Sequence, residues 1–293
     1  MSKLLPIIDA VSGGSGRGIS YYSAGMKCAR KVVLDNEAKD GRLTREAEGQ
    51  APREYGKGGS EATRVGTIYH ALCEQWHGKG ITFPKALPSN DLYDTEYHEA
   101  ERLFKFYKKS CRNDPGYWGH VEAVEMALPR GEEDIAALAE YFQFKGKLTA
   151  LMDMVVRIDS EAHARIKLDH GVTLPGTGLY ILDHKSSKQK ANTGQWDMSM
   201  QFVAYQLMYF ACTGEAPRGM IAANIVRHKK LEAGKSFNVH CVPWEEAERG
   251  RLALTTMLNV SSGLIEMSMP NPTACFDWFR KCYHYEQGNC ERV

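Results

Sequence analysis

Asp183 and Lys185 stand two residues apart at the end of an apolar run, Leu179-Tyr-Ile-Leu-Asp-His-Lys-Ser-Ser187. On an extended chain both side chains leave the same face. A carboxylate there can hold a divalent cation, and an ammonium beside it can position a water or steady a developing negative charge. Together they suit metal-assisted hydrolysis. The same triplet occurs by chance at solvated strand ends, so its meaning depends on partners. Asp153 is the first. It interrupts a β-branched, apolar run from Leu151 to Ile158, where an acid is costly unless it is paired or binds metal. His70 has Glu74 one helical turn on, although a lone helical histidine is more often an ordinary surface or core residue. Gln201 and Tyr205 are one turn apart on a strongly helical stretch.

The elements that must position these residues follow from periodicity. Val65, Ile68, Leu72 and Trp76 recur at helical spacing and predict a helix over 61–77. Gly66 lowers its stability unless a close backbone approach requires it. A second helix is predicted over 91–114, stopped by Asp114-Pro-Gly116. Strands are predicted over 121–128 and 143–158, the second long or hairpinned around Gly146. Residues 159–178 read as a loop or added ribbon. The strand 179–187 follows, then a helix over 197–212 opened by Asp197. Strands over 220–226 and 236–242 flank a basic tip, Arg227-His-Lys-Lys230. Pro243 and two acids open a last helix reaching 267.

The chain has 293 residues, 43% hydrophobic and 25% charged, with a formal net charge of +1. That composition is globular and excludes a general polyanion binder. Any nucleic-acid contact must use local basic patches, and Lys188, Lys190, Arg227, Lys229 and Lys230 are the candidates for the phosphate backbone. No apolar run is long enough to span a membrane. Met1-Ser-Lys-Leu-Leu-Pro is broken too early for a signal peptide, so a cytoplasmic location is expected. Gly13-x4-Gly18 resembles a phosphate loop, but Ile19 stands where lysine is needed; it reads as a flexible loop. Residues 35–60, rich in charge and glycine, read as a surface segment. Eight cysteines are many for a reducing compartment, so clustered ones point to metal or iron–sulfur ligation.

Taken in order, Gly66-Thr-Ile-Tyr-His70, Ala150-Leu-Met-Asp153, Asp183-His-Lys185 and Gln201-x3-Tyr205 resemble the motifs of the RecB-type nuclease domain in the PD-(D/E)xK superfamily. The resemblance spans roughly residues 20–290. It departs at Ala150, where the family has glycine, which leaves Asp159 as a fallback for the first carboxylate. It implies an α/β, restriction-endonuclease-like core with a central mixed β-sheet flanked by helices. The implied layout is a single domain over 1–293: an amino-terminal cysteine segment (19–34), the core (61–242), a long helix (243–267) and a cysteine-rich tail (268–293). It further implies Mg²⁺ or Mn²⁺ held by His70, Asp153, Asp183 and the backbone carbonyl of His184. Lys185 would orient the attacking water, and Gln201 and Tyr205 would position Lys185 or a phosphate.

A subset of this family, the CRISPR-associated adaptation and AddB-type nucleases, carries a four-cysteine 4Fe–4S cluster that clasps the termini. One ligand precedes the core and three follow it. Cys28, Cys275, Cys282 and Cys290 match that layout, with wider tail spacing than those relatives show. Zinc, which also accepts four thiolates, and unligated thiols stay open. The implied function is a metal-dependent DNA nuclease, an exonuclease by analogy, acting on single strands or duplex ends in recombination, repair or phage and mobile-element DNA processing. The chain carries no motor motif, so it is expected to act alone or with a recombination or helicase partner. The alternatives are a catalytically idle DNA-binding or scaffold protein on the same fold, and a metal-dependent RNA nuclease.

Overall fold

The computed structural model describes residues 61–78, 94–188 and 199–267, with Ile19, Tyr22, Ser23 and Met26. Cys28, Cys275, Cys282, Cys290 and Lys190 lie outside the described residues, as do Asp197 and residues 12–18 and 35–60. In chain order the elements are α1 (Glu61–His77), α2 (Asp94–Ser110), β1 (His120–Leu128), α3 (Glu132–Phe142), β2 (Ala150–Ile158), α4 (Ser160–His170), β3 (Gly178–Ser187), α5 (Met200–Thr213), β4 (Gly219–Val226), β5 (Phe237–Pro243) and α6 (Trp244–Glu266). The chain divides into two compact units. Among the described residues no helix is long and apolar enough to cross a membrane.

The larger unit comprises Gly59–Arg130 and Leu151–Arg251. It is α/β, with one mixed sheet of five strands in the order β1-β2-β3-β4-β5. β3 pairs antiparallel with β2 and parallel with β4, and β4 pairs antiparallel with β5. The parallel pair needs a crossover, which α5 supplies. β4 is buried along its whole length, as a central strand covered on both faces should be. The core joins Val65, Ile68, Tyr69 and Leu72 of α1 and Leu103 and Tyr107 of α2 to Val156, Tyr180, Leu182 and Ile221 of the sheet. The periodic apolar stripe of α1 is thus the face that docks on the strand carrying Asp183 and Lys185.

The smaller unit includes Gly131–Ala150. The strand expected over 143–158 begins only at Ala150. Before it stands α3, which ends on Gln143 in the left-handed conformation (φ 47°, ψ 43°). Gly146 is no hairpin turn. A Cβ there would fall 2.2 Å from the Phe144 ring. That ring packs edge-on against Tyr22 at 5.3 Å, and the Tyr22 hydroxyl donates to the Lys147 carbonyl at 2.6 Å. Glycine at 146 therefore makes room for an aromatic contact.

Two further expectations change. The second helix ends at Ser110, short of the expected 114. The region 159–178 holds α4 rather than only a loop, capped by Asp159, whose carboxylate accepts the Ala162 N–H at 2.8 Å, and ended by Gly171 in the left-handed region.

Gly119, just before β1, has φ +108°, and an added Cβ would lie 2.5 Å from the Arg157 carbonyl oxygen. Backbone, not a movable side chain, occupies that space. Gly119→Ala is expected to cost about 2–3 kcal/mol, from strain plus displacement of the β2 edge. Urea denaturation measures it, and an unchanged midpoint would contradict this account of the β1 entry.

Candidate functional site

The site lies where β2 and β3 part. Their pairing runs from Ile158↔Gly178 to Met154↔Leu182. One residue further, the Asp153 carboxylate takes the place of a ladder rung: its Oδ2 accepts the His184 N–H at 2.7 Å. The same Oδ2 lies 3.2 Å from Nδ1 of His70 and 3.6 Å from Nδ1 of His184. Asp153 is only 8% exposed. Burial pushes its carboxyl up, but the His70 imidazole and the His184 contacts outweigh this and hold it well below the usual range. His70 is pulled down by burial and up by Asp153, and the net direction is up.

His70 sits on α1 between Gly66 and Glu74, each one turn away, so all three share a helix face. Gly66 lies against β3, where a Cβ would stand 3.5 Å from Ser186 Oγ. That is ordinary contact, so the close approach inferred for Gly66 does not demand glycine. Donor atoms of His70, Glu74 and Asp153 all lie within 4.8 Å of one another, a grouping that could hold a metal ion. Glu74 is the addition to the expected ligand set. Its spacing from His70 was visible in the sequence, but the face α1 turns toward β2 and β3 was not.

Asp183 stands apart from that trio. Lys185 Nζ lies 2.8 Å from its Oδ2 and 3.1 Å from its Oδ1. Only the Oδ1 contact has hydrogen-bond geometry; Oδ2 is buried without a hydrogen-bond partner. Burial, first, and the neighbouring Asp153 push the Asp183 carboxyl up, against Lys185, with a net rise. Lys185 is pulled down by burial, but Asp183 and Asp153 raise it overall. It also donates to Gln201 Oε1 at 3.4 Å, and Gln201 Nε2 donates to the Tyr205 hydroxyl at 3.1 Å. The one-turn spacing on α5 thus becomes a bridge from tyrosine through amide to ammonium.

His184 points to the opposite face, among the rings of Tyr69, His77 and Tyr107. Burial lowers its pKa despite Asp153. Burial also lowers His77, with His184 adding to the effect, to about 3. Nothing in the sequence linked His77, Tyr107 and Trp118 to this site.

The described basic candidates gather at the same sheet end. Lys188 follows β3 and is exposed. The Arg227 N–H donates to the Ser187 carbonyl at 2.7 Å, which fixes the start of the β4–β5 connection beside it. Arg102 of α2 donates to the carbonyls of His228 at 3.1 Å and Lys229 at 3.5 Å. Lys229 and Lys230 are exposed on this tip.

Asp159, the fallback acid, is committed to capping α4. Asp159→Ala is expected to lower stability by about 1 kcal/mol and to leave Mn²⁺ affinity unchanged. Denaturation and calorimetry check the two parts, and a fall in affinity would return Asp159 to the ligand set. No family model matches the chain, and no curated protein matches it.

Proposed function

We propose that this chain is a metal-dependent nuclease of the PD-(D/E)xK type, with a RecB-like site that hydrolyses phosphodiester bonds in DNA. The observation that carries the reading is the pair of half-buried Lys185 and buried Asp183 at a strand end beside a second buried carboxylate, Asp153, that already engages an imidazole. Three buried acids, Asp153, Asp183 and Glu74, gather about one ammonium and one imidazole, an arrangement whose charge a cation would balance. The donor set is of nitrogen and carboxylate type, which suits Mn²⁺, and Mg²⁺ less closely.

Asp153, Asp183 and His70 would hold the ion, with Glu74 and the backbone carbonyl of His184 completing the set. Such an ion lowers the pKa of a bound water and stabilises the departing oxyanion. The chain's own residues do the rest. Lys185 orients the nucleophile, held in place by Asp183 and Gln201. Tyr205 braces Gln201. Lys188, Arg227, Lys229 and Lys230, with Lys190, offer cations to the phosphate backbone without reading sequence. In the same proposal Cys28, Cys275, Cys282 and Cys290 ligate a 4Fe–4S cluster, which iron and sulfide analysis of anaerobically purified protein distinguishes from zinc.

The deciding assay is cleavage of single- and double-stranded DNA and RNA with Mn²⁺. Asp153→Asn keeps an acceptor for the His184 N–H, and Lys185→Met keeps most of the side-chain volume. Each is expected to cut at least about 100-fold more slowly than wild type, with a melting transition in the native range, and chelation should abolish cleavage. Variants as active as wild type would defeat the assignment. An inactive wild-type protein that still binds DNA would favour the scaffold reading, and cleavage of RNA alone would move the substrate.

A further inference from the structure

The proposed mechanism uses only the main chain of His184, yet its side chain is fully buried and tightly engaged. Nε2 lies 2.9 Å from the Tyr107 hydroxyl. That hydroxyl also accepts Trp118 Nε1–H at 2.8 Å and meets His77 Nε2 at 2.7 Å. Counting donors fixes the protons. Trp118 can only donate. His77 Nδ1 lies 2.7 Å from the Pro115 carbonyl, which can only accept, so Nδ1 carries a proton. A buried imidazolium whose partners are one carbonyl and one hydroxyl is costly, so His77 is neutral and its Nε2 accepts. The single Tyr107 proton therefore goes to His77. The remaining contact to Tyr107 must be a donation from His184 Nε2–H, so in the neutral ring His184 Nδ1 is a bare lone pair.

That Nδ1 has no hydrogen-bond partner. It faces Asp153 Oδ2 at 3.6 Å, the oxygen that His70 Nδ1 approaches at 3.2 Å. A bare lone pair facing a carboxylate oxygen repels it unless a cation, a proton on the ring or a metal ion, lies between them. Ligands about 2.1–2.2 Å from one ion stand about 3.0–3.5 Å apart, from octahedral to tetrahedral geometry. The two separations at Asp153 fall close to that window. The geometry points to His184 Nδ1 as a nitrogen ligand of the cation at His70 and Asp153, with the ring oriented and its Nε2 proton held by Tyr107, His77 and Trp118. This rests on reading the cluster as a metal centre. Two imidazoles tilt the site toward Mn²⁺ or Zn²⁺ and away from Mg²⁺.

Long-range proton–nitrogen correlation spectra of chelator-treated protein test the tautomer, with His184 signals identified by their loss in His184→Phe. The expected pattern is a protonated Nε2 and an unprotonated Nδ1, with Nδ1 shifting when Zn²⁺ is added. A protonated Nδ1, or a His70 response without one at His184, overturns the assignment. Silence at both histidines overturns the metal centre as well. By calorimetry, His184→Phe, which keeps the main-chain carbonyl, is expected to weaken Mn²⁺ binding about 10–100-fold and Mg²⁺ binding much less. Equal losses for the two ions would rule out nitrogen ligation. None of these readouts needs DNA cleavage, so an inactive protein that binds Mn²⁺ through His184 would refute the nuclease reading and leave this one standing.

Discussion

A buried carboxylate that completes a β-ladder is the constraint on which the larger unit depends. Asp153 cannot be ionised under the sheet end without partners. Its nearest one is the His184 N–H, which is available only because regular β2–β3 pairing stops at Met154↔Leu182. Its second is His70, which is available only because α1 presses its apolar face on β3. Move the register by one residue and Asp153 leaves the site. Register, helix docking and charge compensation are thus one problem with one solution.

Alternation along β3 then divides the work between two faces. Asp183 and Lys185 face α5 and its Gln201–Tyr205 bridge. His184, between them, faces α1 and α2. The environments separate the two acids, with Asp153 held low by imidazole and amide contacts and Asp183 pushed up by burial and by Asp153 itself. Acids pushed in opposite directions take different roles. Asp153 is a fixed anion, and Asp183 shares its charge with Lys185.

Much of this arrangement was legible because it obeys short-range rules. An apolar run ending in Asp-x-Lys, the one-turn pair on α5 and the stripe of α1 each signal element and face together. α4 was missed because only Ala162 and Ile166 of its 11 residues are buried, too few for a stripe, although Asp159 and Gly171 were readable as caps. α3 lies between the two predicted strands and went unassigned, and 143–149 was read as strand because Gly146 resembles a turn. Its true reason, the Phe144 ring against Tyr22, joins residues too distant in sequence for any local pattern. Glu74 was visible by spacing and invisible by role. The Tyr107 hydroxyl network is the extreme case: its members are on α1, α2, the turn after α2 and β3, and no local rule connects them.

That network is also the least economical part of the core. Apolar side chains of similar volume at 77, 107 and 184 would fill the space without burying hydroxyl and imidazole groups, and a core selected for stability alone would favour them. A polar cluster is tolerable only when its hydrogen bonds close. Here they close everywhere but at one nitrogen, and that nitrogen faces the buried carboxylate. An open valence confined to the atom nearest a charge excess is what a ligand shell requires and what a purely structural cluster would avoid. The cost of burying three polar rings is then offset by orienting one lone pair before any ion arrives.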